Sequence, residues 1–138
     1  MSEPARDSSA YVDDRYPLSA LTGRVIAAAQ EVHRTLGPGF EEVIYQRALA
    51  RELPAHGVEF AREVWITVIY KGEKVGSKRV DFVVNDTNGA VMVEIKAKDA
   101  LGEVDFVQAL SYLKASGYGV GLLLNFGGKW IEIKRLAN

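Results

Sequence analysis

Three strand residues and one neighbour carry the chemistry that the chain can be expected to perform. In the stretch VEIKAK, residues 93–98, Glu94, Lys96 and Lys98 interrupt an otherwise apolar run. Successive side chains of a strand point to opposite faces. Val91, Val93, Ile95 and Ala97 therefore share one face, and Ala90, Met92, Glu94, Lys96 and Lys98 share the other. The first face is apolar throughout. The second turns polar at Glu94, as expected of a strand that runs from a core into a cleft. In the preceding stretch RVDFVV, Val80, Phe82 and Val84 point one way, and Asp81 and Val83 the other. An Asn88-Gly89 pair folds the two stretches together, which is a strong hairpin signal. Counted from that turn, Asp81 and Glu94 lie at comparable heights. Two adjacent carboxylates repel, and their burial is costly unless a cation compensates. Magnesium takes oxygen ligands and keeps waters, so one or two carboxylates are enough to hold it. Lys96, two residues further along the same face, would orient or deprotonate an attacking water or stabilise charge on a phosphate. The same residues also fit a solvated sheet face with cross-strand ion pairs.

The elements that must position these residues follow from periodicity. Leu18, Leu21, Val25, Ala28, Ala29, Val32 and Leu36 recur at helical spacing, and Gly37-Pro38-Gly39 ends that helix. A second helix is predicted over about 41–56, with Gly57 as its stop. VEFAREVWITVIYKGEKVG is rich in β-branched and aromatic residues, with a turn at Lys71-Gly72-Glu73-Lys74. Residues 103–116 return to helix and end at Gly117. A strand apolar on both faces follows from about residue 118, then a Gly127-Gly128 turn and a last strand. The predicted order is helix, helix, three antiparallel strands, helix, strand, strand. The strand after the third helix arrives by a crossover and is expected to lie parallel to a neighbour. The class is α/β (α+β), a mixed central sheet with a three-stranded antiparallel meander flanked by helices.

Bulk composition narrows the field without choosing within it. A chain of 138 residues suits one core. We expect a flexible, polar N-terminal tail at 1–17 and a single domain at 18–138. The formal net charge of −1 announces no global field for nucleic acid, although a local basic patch can suffice. Cysteine is absent, which excludes disulfides and thiolate zinc sites and allows a reducing compartment. No apolar stretch reaches the ~18 residues of a membrane span. The N-terminus lacks the apolar centre of a signal peptide. The expected location is cytoplasmic, with no membrane partner.

The ordered motifs carry a resemblance. Asp81, a gap of twelve residues and then Glu94-Ile95-Lys96 resemble the D…(D/E)-x-K core of the PD-(D/E)XK nuclease superfamily. QALSYL contains Gln108-x-x-x-Tyr112, which is similar to a motif of its RecB-like branch. GFEEVIY contains Gly39-x-x-Glu42-x-x-Tyr45, which resembles the signature of the small bacterial GxxExxY family. The proline of the superfamily's name is absent, since Val80 precedes Asp81. The resemblance implies a restriction-endonuclease-like core and a Mg²⁺- or Mn²⁺-dependent nuclease that hydrolyses phosphodiester bonds in DNA or RNA. It implies Asp81 and Glu94 as metal ligands, with the Ile95 backbone carbonyl as a further one. Lys96 would be the catalytic lysine. Glu42 and His33 would be supporting residues or further ligands, and Gln108 and Tyr112 would brace the site or touch nucleic acid.

The residues themselves leave alternatives open. His33 also fits a hydrogen-bonded residue at a helix boundary. Glu42 also fits an acid favouring the helix macrodipole, a task that Glu41 could perform equally. Gln108 and Tyr112, four apart, also fit a polar outer face opposite Phe106, Ala109, Leu110 and Leu113. Basic residues cluster at Lys71, Lys74, Lys78 and Arg79, at Lys96 and Lys98, and at Lys129, Lys134 and Arg135. They suit phosphate binding or the protection of strand edges. A non-catalytic nucleic-acid-binding or protein-interaction module that keeps the nuclease fold is the alternative function. Its hairpin edges would allow a homo-oligomer.

Overall fold

Helix α1, Ser19–Leu36, forms on the predicted stripe, burying Leu21, Val25, Ala28, Ala29 and Val32. It stops at Gly37, whose φ of 70° is open to glycine and whose amide donates to His33 O at 2.8 Å. Helix α2, Glu42–Glu52, is shorter than predicted. Leu53–His56 tighten into a single 3₁₀ turn around Pro54, which has no amide to donate, and Gly57 closes the turn at φ 71°. The structure, a computed structural model, describes residues 12, 13, 16 and 18–138. The tail expected at 1–17 falls almost wholly outside the described residues. No helix among those described is long and apolar enough to cross a membrane.

Five strands follow: β1 Glu59–Tyr70, β2 Glu73–Asp86, β3 Gly89–Lys96, β4 Val120–Asn125 and β5 Glu132–Ala137, with α3, Glu103–Ser116, between β3 and β4. They form one sheet in the order β1-β2-β3-β4-β5. Every neighbouring pair is antiparallel except β3 and β4, which run parallel after the α3 crossover. This is the mixed sheet flanked by helices expected from the sequence, and it is consistent with a restriction-endonuclease-like fold. One face packs under α1 and α2 through Phe82, Val84, Val91, Val93, Ile95, Leu122 and Leu124. The opposite face packs on α3 through Ile66, Val80, Val83, Met92 and Leu113.

One expectation about faces fails. Val80 does not share a face with Phe82 and Val84; it crosses to the α3 side and packs with Val83. β1 does the same, since Phe60 packs on the α1–α2 side and Val64 and Ile66 on the α3 side. The ladder pairs Arg62 with Phe82 and Val64 with Val80, and leaves Glu63 and Asp81 between them unpaired. Glu63 adopts a left-handed φ of 54°, a conformation costing about 1–2 kcal/mol in a residue with a Cβ. The extra twist there turns the β1–β2 ribbon over. Its outer half, beyond Val64 and Val80, becomes an arm whose apolar side rests on α3.

Candidate active site

The site grows from the place where β2 and β3 separate. Their pairing runs from Asp86↔Gly89 up to Phe82↔Val93 and stops. Beyond it, side chains take over the ladder. The Asp81 amide donates to Glu94 Oε1 at 2.9 Å, and the Ile95 amide donates to Asp81 Oδ2 at 2.8 Å. Each carboxylate thus fills the place of a backbone carbonyl on the opposite strand, so both are fixed by main-chain geometry. Gln46 Nε2, from α2, donates to Asp81 Oδ1 at 2.7 Å. The other end of that amide, Gln46 Oε1, is buried and has no hydrogen-bond partner among the described residues.

Glu94 is only 8% exposed. Burial first, and then the negative charge of Asp81, push its carboxyl up to about 8. A hydrogen bond shared with the Asp81 carboxylate adds to the shift, and the Asp81 amide first, then Lys96, oppose it. Glu42, at the start of α2, is raised from its ordinary value by burial, with Lys96 opposing and Asp81 reinforcing. Glu42, Gln46, Glu63, Arg79 and Asp81 line a cleft of about 270 Å³ on this side of the sheet. Lys96 Nζ donates to Gln108 Oε1 at 3.1 Å, which links the site strand to α3.

Not every expected residue joins this group. His33 is 3% exposed, and its Nε2 bonds to Gly128 O at 2.9 Å while its ring leans on Phe126. It ties α1 to the loop after β4, as a boundary histidine would. Tyr112 packs half-buried against the apolar cluster on the α3 side, with Leu110 and Leu113, rather than on an outer polar face. Glu42 faces the cleft; even so, no three His, Asp or Glu side chains among the described residues converge closely enough to hold an ion by themselves. Tyr45 clamps the preceding turn, donating to Gly37 O and stacking on Phe126 at 4.8 Å.

Three residues enter that the sequence reading passed over. Gln46 sits one helical turn after Glu42, and that spacing was the available signal. Asp105 is buried near the start of α3 and accepts from the Gly102 amide and from Lys98 Nζ, each at 2.8 Å. The Gly102 amide first, and then Lys98, hold its carboxyl below the usual range. Lys98 therefore anchors the loop that leaves β3. Asn125, fully buried, accepts from the Lys98 amide at 3.0 Å and donates to Lys98 O at 2.9 Å. A Cβ on Gly127 would stand 2.3 Å from Lys98 N and O, so β4's exit can lie against this loop only as glycine.

A sequence model described as the PD-(D/E)XK nuclease superfamily matches residues 19–136. The chain belongs to the PD-(D/E)XK nuclease superfamily. A solved structure titled as that of SSO0001 is similar in fold, with a TM-score of 0.52 at 17% identity. The similarity covers 96% of this chain and 62% of that one, so the chain spans less than two thirds of its length. The search of curated proteins gave no match. Nucleases of this superfamily act on nucleic acids and generally use divalent metal ions. The oxygen chemistry of the site fits such an ion. A buried acid and a half-buried one lie against each other, the buried one raised to about 8 by its burial and by its neighbour's charge, and a buried amide oxygen of Gln46 has no partner among the described residues.

Proposed function

We propose that the chain is a divalent-metal-dependent nuclease of the RecB-like branch and a member of the GxxExxY family, cleaving phosphodiester bonds in DNA or RNA. The observation that carries this reading is the pair of carboxylates locked across the end of the β2–β3 ladder, with Lys96 beside them. Asp81 and Glu94 would hold Mg²⁺ or Mn²⁺, and the Ile95 carbonyl, Gln46 Oε1 and water would complete the oxygen shell. Bound there, the ion supplies Lewis acidity toward a phosphate oxygen and toward water. Gln46 orients Asp81 through its bond to Oδ1. Lys96, held at Gln108, places a positive charge beside the carboxylates, where it can stabilise a phosphate gaining charge or take up a proton. Glu42 borders the same cleft, where its raised affinity for a proton suits exchange with water or with the leaving oxygen.

Cleavage of labelled single- and double-stranded DNA and RNA with Mg²⁺ or Mn²⁺ tests the reading. Activity that survives in Asp81→Asn, Glu94→Gln and Lys96→Met alike would rule this site out. The lack of a third converging acid among the described residues favours one competing reading, a non-catalytic binding module that retains the fold. Calorimetric titration separates the two: nucleic-acid binding with no metal uptake supports the module.

A further inference from the structure

The arm of the β1–β2 hairpin presents a feature that neither the core nor the carboxylate pair requires. Trp65 stands near the middle of β1 and is 63% exposed. Its cross-strand partner is Arg79, whose guanidinium lies 5.5 Å from the centre of the indole ring. The overturned ribbon explains the exposure. Val64 and Ile66 turn to α3, so Trp65 and Thr67 turn outward on the other side. Arg79 also lines the cleft that holds Asp81 and Glu42. It stands two residues from Asp81, about 7 Å along the strand. One of its nitrogens meets Glu63 Oε2 at 3.1 Å, and Arg62 approaches Glu63 Oε1 at 3.8 Å. A guanidinium has five donors in a plane, so donors remain beyond the one facing Glu63.

Charge supplies a second argument. The arm, residues 64–80, carries Lys71, Lys74, Lys78 and Arg79 against the single acid Glu73, in a chain whose net charge is −1. A flat aromatic ring, a guanidinium over it and a local excess of positive charge together match a nucleobase attached to a phosphate. A base pair inside a duplex hides both of its faces in the stack. Away from a duplex end, a base can lie on Trp65 when it is unpaired. A docking face for another protein would have no need of the adjoining catalytic cleft, to which Arg79 belongs.

We propose that Trp65 and Arg79 form a stacking platform for an unpaired base of single-stranded nucleic acid whose backbone continues into the Asp81–Glu94 cleft. The proposal rests on the nuclease reading for the identity of the substrate, but its test reads binding rather than cutting. The probe is a fluorescein-labelled oligonucleotide of about 12 nucleotides, within the ~4–16 nucleotides that such surfaces cover. It is offered as single-stranded DNA, single-stranded RNA and duplex DNA, with Ca²⁺ as the only divalent ion. Trp65→Ala in the full chain is expected to weaken single-strand binding about 5- to 150-fold, the range for losing one stacked base. Duplex binding is expected to change less than about twofold, and Trp65→Phe to retain most of the single-strand affinity because it keeps an aromatic face. Arg79→Gln is expected to lower the salt dependence of single-strand binding by about 0.7 in log–log slope. The DNA and RNA arms show which sugar is preferred.

Unchanged single-strand affinity in a folded Trp65→Ala chain overturns the proposal. So does an equal loss on duplex and single strand, or a loss of self-association with nucleic-acid binding intact, which would make the arm a protein interface. The two readings fail separately. Cleavage that needs Asp81 and Glu94 but ignores Trp65 removes the platform alone. Trp65-dependent binding without any cleavage removes the nuclease alone.

Discussion

Glu94→Gln should make the metal-free protein more stable at alkaline pH while abolishing cleavage. Glu94 is buried against Asp81, and its carboxyl titrates at about 8 in place of the ordinary 4.5. The native state therefore holds a proton that the unfolded chain releases. Below pH 4.5 both states are protonated and the group has no effect. Between 4.5 and 8 the unfolded state alone loses its proton, so stability falls as pH rises. Above 8 the fall is complete. Integrated over that interval the loss is on the order of 5 kcal/mol, a large share of the ~5–15 kcal/mol that holds a domain together. Glutamine reproduces the protonated acid: its carbonyl oxygen can accept from the Asp81 backbone amide, and its side-chain NH₂ can donate to the Asp81 carboxylate. Urea unfolding in EDTA at pH 5, 7 and 9 measures the effect. The wild type should lose stability steadily across the series. The variant should lose much less and overtake the wild type at pH 9. A variant with the same slope, or one less stable than the wild type at pH 9, would refute the view that Glu94 is an uncompensated buried acid.

The same group predicts how metal binds. An ion held as proposed at Asp81 and Glu94 would displace the Glu94 proton, so apparent affinity should rise with pH up to about 8 and level off above it; calorimetry in two buffers of different ionisation enthalpy counts the protons released. Gln46→Ala should weaken Mg²⁺ or Mn²⁺ binding about 10- to 100-fold, because it frees the Asp81 carboxylate; Asp81 mobility by side-chain NMR should rise with it. Gln108→Ala should lower the cleavage rate while leaving metal affinity within about twofold of wild type, since Gln108 touches Lys96 and neither carboxylate. Gly127→Ala should cost about 3 kcal/mol or prevent folding, because its methyl would meet the Lys98 backbone at 2.3 Å; thermal unfolding reads this.

The sheet and its acids were legible in the sequence for separable reasons. Alternation is a local property, so VEIKAK disclosed which side of β3 turns polar. The Asn88-Gly89 turn fixed the register that sets Asp81 opposite Glu94, and Gly37, Gly57 and Gly117 marked element ends by the positive φ they adopt. What could not be read depends on contacts between distant segments. Val80 changes face because Glu63, in another strand, takes a left-handed conformation, and nothing in the composition of β2 announces that. His33 has the right chemistry for a ligand, yet its partner Gly128 lies 95 residues away. Lys98 by sequence suits phosphate binding or a strand end in water, and its partner Asp105 comes from the next helix. Gln46 carries no charge and sits on a helix, so only the fold shows it reaching Asp81.

The overturned ribbon has a consequence for how this architecture can vary. Beyond Val80, β2 has left β3, and among the described residues the arm packs on its own two strands and on α3. Residues added or removed in matched pairs near the Lys71-Gly72 turn would lengthen or shorten the arm without shifting Asp81 against Glu94. The chain thus separates a part that must stay constant from a part free to change its reach. New substrates could be tried by editing one turn, with the two carboxylates left where the ladder holds them.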